Sequence, residues 1–179
     1  MIILQTPKNL SKPISLSQQE KINWMKRLLY KAKLLGERGE VPVAALILDN
    51  KGRCIGYGGN RREKLKDPLG HAELVALRQA SWINNDWRFN GCTLIVNLEP
   101  CPMCAGALIQ ARMGRVIYGS KDSKRGALGG TINLAEHKSA HHKMLIEGGV
   151  MEKESKKIIV DWFKDKRGFQ KKTLLSKLR

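Results

Sequence analysis

The sequence predicts an α/β protein, a three-layer α/β/α sandwich around a central mixed five-stranded sheet. Three observations carry that prediction. Short apolar runs alternate with longer segments of helical periodicity, the pattern of helices packed on both faces of a sheet. The third and fourth strand-like runs are joined by a connection long enough for parallel pairing, whereas the first two are joined by a tight polar turn. A chain of 179 residues with 42% hydrophobic content is one domain's worth and long enough to bury a proper core.

Residues 1–16 read as a loose extension. Ser17-Gln18-Gln19-Glu20 is a capping box, with Ser17 capping the first turn and Glu20 reaching back. The helix it opens places Ile22, Met25, Leu28, Leu29, Ala32 and Leu35 on one face, and Gly36 or Gly39 ends it. Val43–Leu48 is a buried strand, turned at Asp49-Asn50-Lys51-Gly52 into a return strand over Arg53–Tyr57. Gly58-Gly59-Asn60 leads into a charged loop through Lys66. After the breaker Asp67-Pro68-Leu69-Gly70, a helix runs from His71 to about Asn84 with Leu74, Val75 and Leu77 inward. Cys92–Leu98 is the third strand, Cys101–Arg112 a helix and Val116–Gly119 the fourth strand. Ser120 to Lys143 is irregular, hinged at Gly126, Gly129 and Gly130, and its length makes it a candidate functional loop. Leu145-Ile146 is a weak fifth strand. Met151 to about Lys166 forms the last helix, with Ile158, Ile159, Trp162 and Phe163 as its core face. The folded unit is expected to span 17–167, followed by a basic tail over 168–179.

Lysine and arginine total 33 against 16 acidic residues, a net charge of +17. Such a surface attracts polyanions, RNA or DNA above all, although a lysine-rich solvated face looks the same in composition. No apolar run approaches the roughly 18 residues of a membrane span. Met1–Leu4 is too short for a secretory h-region. Four cysteines in such a chain suit metal better than disulfides, and imply a reducing, cytoplasmic setting. Cys54 and Cys92, in or beside strand-like runs, are expected to be buried and unreactive.

Chemistry concentrates in two stretches, His71-Ala72-Glu73 and Glu99-Pro100-Cys101-Pro102-Met103-Cys104. Cysteines three apart fall on one face of a helix's first turn, where proline is tolerated and the positive helix end favours thiolate. His71, Cys101 and Cys104 make three zinc ligands, and no fourth stands at matching spacing, which leaves a position for water. Glu73, two residues from the histidine, is placed to move protons. A lone C-x-x-C is a weak signal; H-x-E followed by P-C-x-x-C is the zinc nucleobase-deaminase signature.

Over roughly Ser17 to Arg167 the chain resembles the bacterial tRNA-specific adenosine deaminases, within the cytidine-deaminase-like fold. The resemblance rests on Glu40-Val41-Pro42-Val43, Asn60-Arg61, His71–Leu77, Leu98–Ala107, Tyr118-Gly119, Asp122–Ala127 and Asp161-Trp162-Phe163. It departs at Leu69-Gly70, Asn97 and Gly130, where that family usually carries other residues. The resemblance implies one Zn2+ per chain, a homodimer, and conversion of adenosine to inosine at the wobble position of a tRNA anticodon stem-loop, with Glu73 as general acid and base. It further implies that Asn60 hydrogen-bonds the flipped nucleoside and that Pro42 and Val43 line the pocket. Asp122, Lys124 and Arg125 would meet the flanking nucleotides; taken alone, they read as solvated loop. Arg61, Arg62, Lys64, Lys66, Lys164, Lys166, Arg167, Lys171 and Lys172 could form a phosphate-binding surface. His137, His141 and His142 lack the spacing of a second metal site. Two other classes stay open: a deaminase of a free base or nucleoside, and a non-catalytic zinc RNA-binding module.

Overall fold

A strand that is apolar at every position has to be covered on both faces, and this places β1 (Ala44–Leu48) inside the sheet. The computed structural model describes residues 12–177, with side chains through residue 168, and in it β1 is buried along its whole length. Its neighbours β2 (Cys54–Gly59) and β3 (Thr93–Leu98) both run antiparallel to it. β4 (Arg115–Ser120) and β5 (Leu145–Glu147) continue the sheet in parallel, for an order of β2-β1-β3-β4-β5. The mixed five-stranded sheet is as expected.

Alternate residues of β1 feed two separate cores. Ala44, Leu46 and Leu48 pack with Met25, Leu28 and Ala32 of α1 (Gln18–Glu37), and Ile158 from the C-terminal helix joins them. Ala45 and Ile47 pack on the opposite face beneath two further helices, 72–84 and 102–110. The capping box opens α1 as the sequence predicts: the Ser17 amide donates to Glu20 Oε2 at 2.8 Å, and the Glu20 amide to Ser17 Oγ at 3.3 Å.

Several elements depart from expectation. The charged loop before Lys66 contains a single helical turn, α2 (Arg62–Leu65), held by the buried Glu40 carboxylate, which accepts the Glu63 and Lys64 amides at 3.1 and 2.7 Å. In α3 (Ala72–Asn84) the sheet-facing row is Ala72, Ala76, Leu77 and Ala80, while Leu74 and Val75 are only half-buried. Small residues win that row because α3 lies almost on β2: a Cβ at Gly58 would stand 2.0 Å from the Ala72 carbonyl oxygen. Cys54 is exposed, since β2 is an edge strand, whereas Cys92 is buried. After α4 (Pro102–Gln110), the irregular stretch folds back on itself through a bridge between Leu128 and Asn133. The last helix, α5 (Glu152–Lys177), runs past Lys166, with no proline in its sequence to stop it. Phe163, expected in the core, is 43% exposed.

Of the expected loose extension, residues 1–11 lie outside the described residues. Nearer the domain the chain is anchored: Leu16 is buried, and Arg115 Nη1 donates to the Ile14 carbonyl at 3.0 Å. No helix among the described residues is long and apolar enough to cross a membrane.

Candidate active site

Open α/β sheets bind ligands beyond the carboxyl ends of their parallel strands, and there β3 and β4 deliver the chemistry. β3 runs straight into Glu99-Pro100-Cys101. Cys101 is the N-cap of α4, Pro102 its first residue, and Cys104 lies one turn in, facing the same way. His71 is the N-cap of α3. Two helix N-termini therefore converge on one point, and their positive ends favour thiolate there.

His71 Nδ1 lies 3.6 Å from Cys101 Sγ and 3.4 Å from Cys104 Sγ, and the three atoms fall within 4.8 Å of one another. One imidazole and two sulfurs form a borderline-soft set that suits zinc, and only three protein ligands leave a coordination position open. The Cys101 thiol is pulled down to about 3, first by its hydrogen bond with Cys104 and then by His71, against the cost of burial. Cys104 is pushed up, first by its hydrogen bond with Cys101 and then by burial. His71 is raised, chiefly by its hydrogen bond with Cys101. These residues are positioned to hold one metal ion.

Glu73 stands beside them, 4% exposed, and burial pushes its carboxyl up. Both open onto a cavity of about 720 Å³ whose walls include Val43, Asn60, His71, Glu73, Cys101 and Asp122, with Lys124 and Arg125 at the rim. Cys104 is buried beneath the lining. Pro42 does not line the cavity; it is buried behind it, and Val41 takes the expected place. Asn97 explains how that wall holds. Its Oδ1 accepts the Ala44 amide at 2.8 Å and its Nδ2 donates to the Pro42 carbonyl at 3.0 Å, so one buried amide spans both sides of Val43.

Asn60 is buried, and its Nδ2 donates to Glu40 Oε2 at 3.2 Å. Asp122 Oδ1 accepts the amides of Lys124 and Arg125 at 2.9 and 3.1 Å, so this carboxylate also shapes its own loop. A second, wider cavity of about 1180 Å³ adjoins the first and shares Asn60, Phe163 and Arg167 with it. Its walls carry Arg61, Lys64 and Lys166, together with Lys31, Arg38 and Trp162. Lys171 and Lys172 fall outside the described side chains. The three histidines do not converge: His137 pairs with Ser139, and His142 meets the Met113 carbonyl.

Glu40 and Glu99, visible in the sequence only as members of longer motifs, are the two buried carboxylates that hold the cavity's loops. Their partners lie 20 or more residues away, beyond the reach of any local pattern.

A three-ligand metal cluster at the carboxyl edge of a mixed sheet, with a buried carboxylate two residues from the histidine, defines a zinc deaminase. Residues 18–120 match the zinc-binding region of the cytidine and deoxycytidylate deaminases, and the chain belongs to that family. Within it, the chain is 39% identical over 149 residues to the tRNA-specific adenosine deaminase of Agrobacterium fabrum, covering 83% of this chain and 97% of that protein. It is 36% identical over 144 residues to the enzyme of the same name from Bacillus subtilis, covering 80% of this chain and 89% of the relative. A structure solved in work on A-to-I editing by tRNA:A34 deaminases superposes with a TM-score of 0.73 at 38% identity, over 76% of this chain and 98% of that one.

Proposed function

We propose that this protein hydrolyses adenosine to inosine at the wobble position of a tRNA anticodon loop, using one zinc ion per chain. The observation that carries the reading is the convergence of His71, Cys101 and Cys104 within 4.8 Å on a cavity that also holds the buried Glu73. Zinc held by those three side chains supplies a Lewis acid that brings the pKa of water toward ~7. Glu73 is the proton carrier: it takes the proton of the attacking water and delivers protons to the purine ring and to the departing amine. The water oxygen bonds to C6, the C6–N bond breaks, and ammonia leaves.

The remaining residues bind and exclude. Asn60 hydrogen-bonds the flipped nucleoside, and Val43 packs against the base, with Pro42 supporting it from behind. Asp122, Lys124 and Arg125 meet the flanking nucleotides, which an anticodon loop presents unstacked. Arg61, Arg62, Lys64 and Lys66, with Lys164, Lys166 and Arg167, offer cations to the phosphates on the other side. The working form is a homodimer in the cytoplasm.

Ammonia release tests the reading. It should proceed from an anticodon stem-loop carrying adenosine and be suppressed by salt. Equal, salt-insensitive turnover of free cytosine, guanine or adenosine would instead identify a small-molecule deaminase. Tight binding of edited and unedited RNA alike, without ammonia, would identify a non-catalytic zinc module.

A further inference from the structure

Glu99 is a buried carboxylate that the deamination chemistry leaves unused. It follows β3 directly and is 2% exposed. Its Oε2 accepts the Asp122 amide at 2.9 Å, and its Oε1 accepts the amides of Leu128 and Gly130 at 2.9 and 2.7 Å. No ion pair among the described residues involves it. Its charge is met by backbone N–H groups alone, and hydrogen bonds of that kind are about twice as strong as neutral ones.

The loop is shaped around this carboxylate. A Cβ at Gly126 or Gly130 would stand 2.3 or 2.4 Å from Glu99 Oε2, so neither position has room for a side chain. Between them, the Ala127 amide donates to the Pro100 carbonyl at 2.9 Å. Residues 122–130 are thus tied at four amides to Glu99 and Pro100, the two residues that precede the ligand Cys101.

We propose that Glu99 is a positioning residue: it latches the 122–130 loop to the metal-holding turn and thereby sets which nucleotides are accepted beside the reacting base. Asp122, Lys124 and Arg125 ride on this loop at the rim of the cavity, and a loop free to drift would present them at no fixed distance from the base. The specificity part rests on the RNA deaminase reading; the latch itself does not.

Glu99→Gln tests it, since the amide keeps the size but exchanges one acceptor oxygen for a donor. Zinc should stay at about one per chain, because no metal ligand changes. Hydrogen exchange at Asp122, Leu128 and Gly130 should quicken about tenfold or more, while β3 and β4 amides keep their protection. With RNA, KM should rise more than kcat falls, and the preference for the cognate loop over loops altered beside the target should drop about tenfold. Combined with Asp122→Ala, discrimination should fall no further than in the weaker-discriminating single variant, because both act through one loop. Unchanged exchange, a loss of kcat with discrimination intact, or additive losses would overturn the proposal. Should Glu99→Gln not fold, Gly130→Ala presses a methyl group into the same carboxylate and is read the same way. If the unaltered protein deaminates no RNA, the functional reading fails, and the exchange pattern alone decides the latch.

Discussion

Glu73 and the two cysteines sit within one cluster, yet their loss should look different. If Glu73 carries protons as proposed, Glu73→Ala removes that group without touching a ligand, so zinc should remain at about one per chain while deamination falls by roughly 10²–10⁴-fold or more. Cys101→Ala should lose metal and activity together. Metal analysis beside an activity assay separates the two; turnover retained in Glu73→Ala would remove the assigned role. Asp122→Asn belongs to the same scale. Its Oδ1 already accepts the Lys124 and Arg125 amides, and the asparagine oxygen keeps that turn. Any effect should therefore appear in the choice between RNA and DNA or between altered loops, with zinc content unchanged. An unaltered preference ratio would leave Asp122 a turn-former only. The ligand set and Glu73 were legible because H-x-E and P-C-x-x-C are local patterns. The loop-holding roles of Glu40 and Glu99 were not, since a single acid in a loop or just past a strand carries no local sign of amides folded back onto it.

Among the elements, α3 packs so closely on β2 that the strand has no room for a side chain at Gly58. A Cβ at Gly58 would overlap the backbone of Ala72, the residue next to His71. Gly58→Ala must push α3 outward, and overpacking of this kind costs about 1–3 kcal/mol. Since the same helix end carries a ligand, zinc affinity should fall along with the melting temperature. Calorimetry with metal titration checks both, and an alanine variant with unchanged melting would show that the helix has slack. The helical and strand periods were readable in α1, β1 and β3 because their apolar patterns are long. The row Ala72, Ala76 and Ala80 was hidden, since alanine gives a weak hydrophobic signal although a tight helix-on-strand contact requires it. Similarly, Cys54 sits in a strand-like run that says nothing about being the sheet's edge, and α2 is too short for a period to show.

At the scale of the whole molecule, part of the basic excess behind the net charge of +17 lines the wider cavity, where Arg61, Lys64, Lys166 and Arg167 stand with Phe163 and Trp162. If these cations neutralise phosphates, affinity should weaken log-linearly with salt, at a slope of about −0.7 per phosphate contacted on single-stranded RNA. Replacing Arg61, Lys64 and Lys166 by alanine should flatten that slope by up to roughly two (three contacts at ~0.7 each) and raise KM while leaving kcat nearly alone. An unchanged slope would make them solvated surface. Composition left a polyanion-binding surface and a merely solvated basic face equally open; only the fold brings residues from α1, α2 and α5 to one groove. Anticodon stem-loops identical except for the wobble base, assayed for inosine, decide whether adenosine at that position is the substrate. Inosine should form from the adenosine loop, at least about 10²-fold more slowly with Glu73→Ala, and no ammonia should come from cytidine or guanosine at that position. Ammonia from the cytidine or guanosine loop, or no inosine from the adenosine loop with zinc in place, would contradict the proposed function.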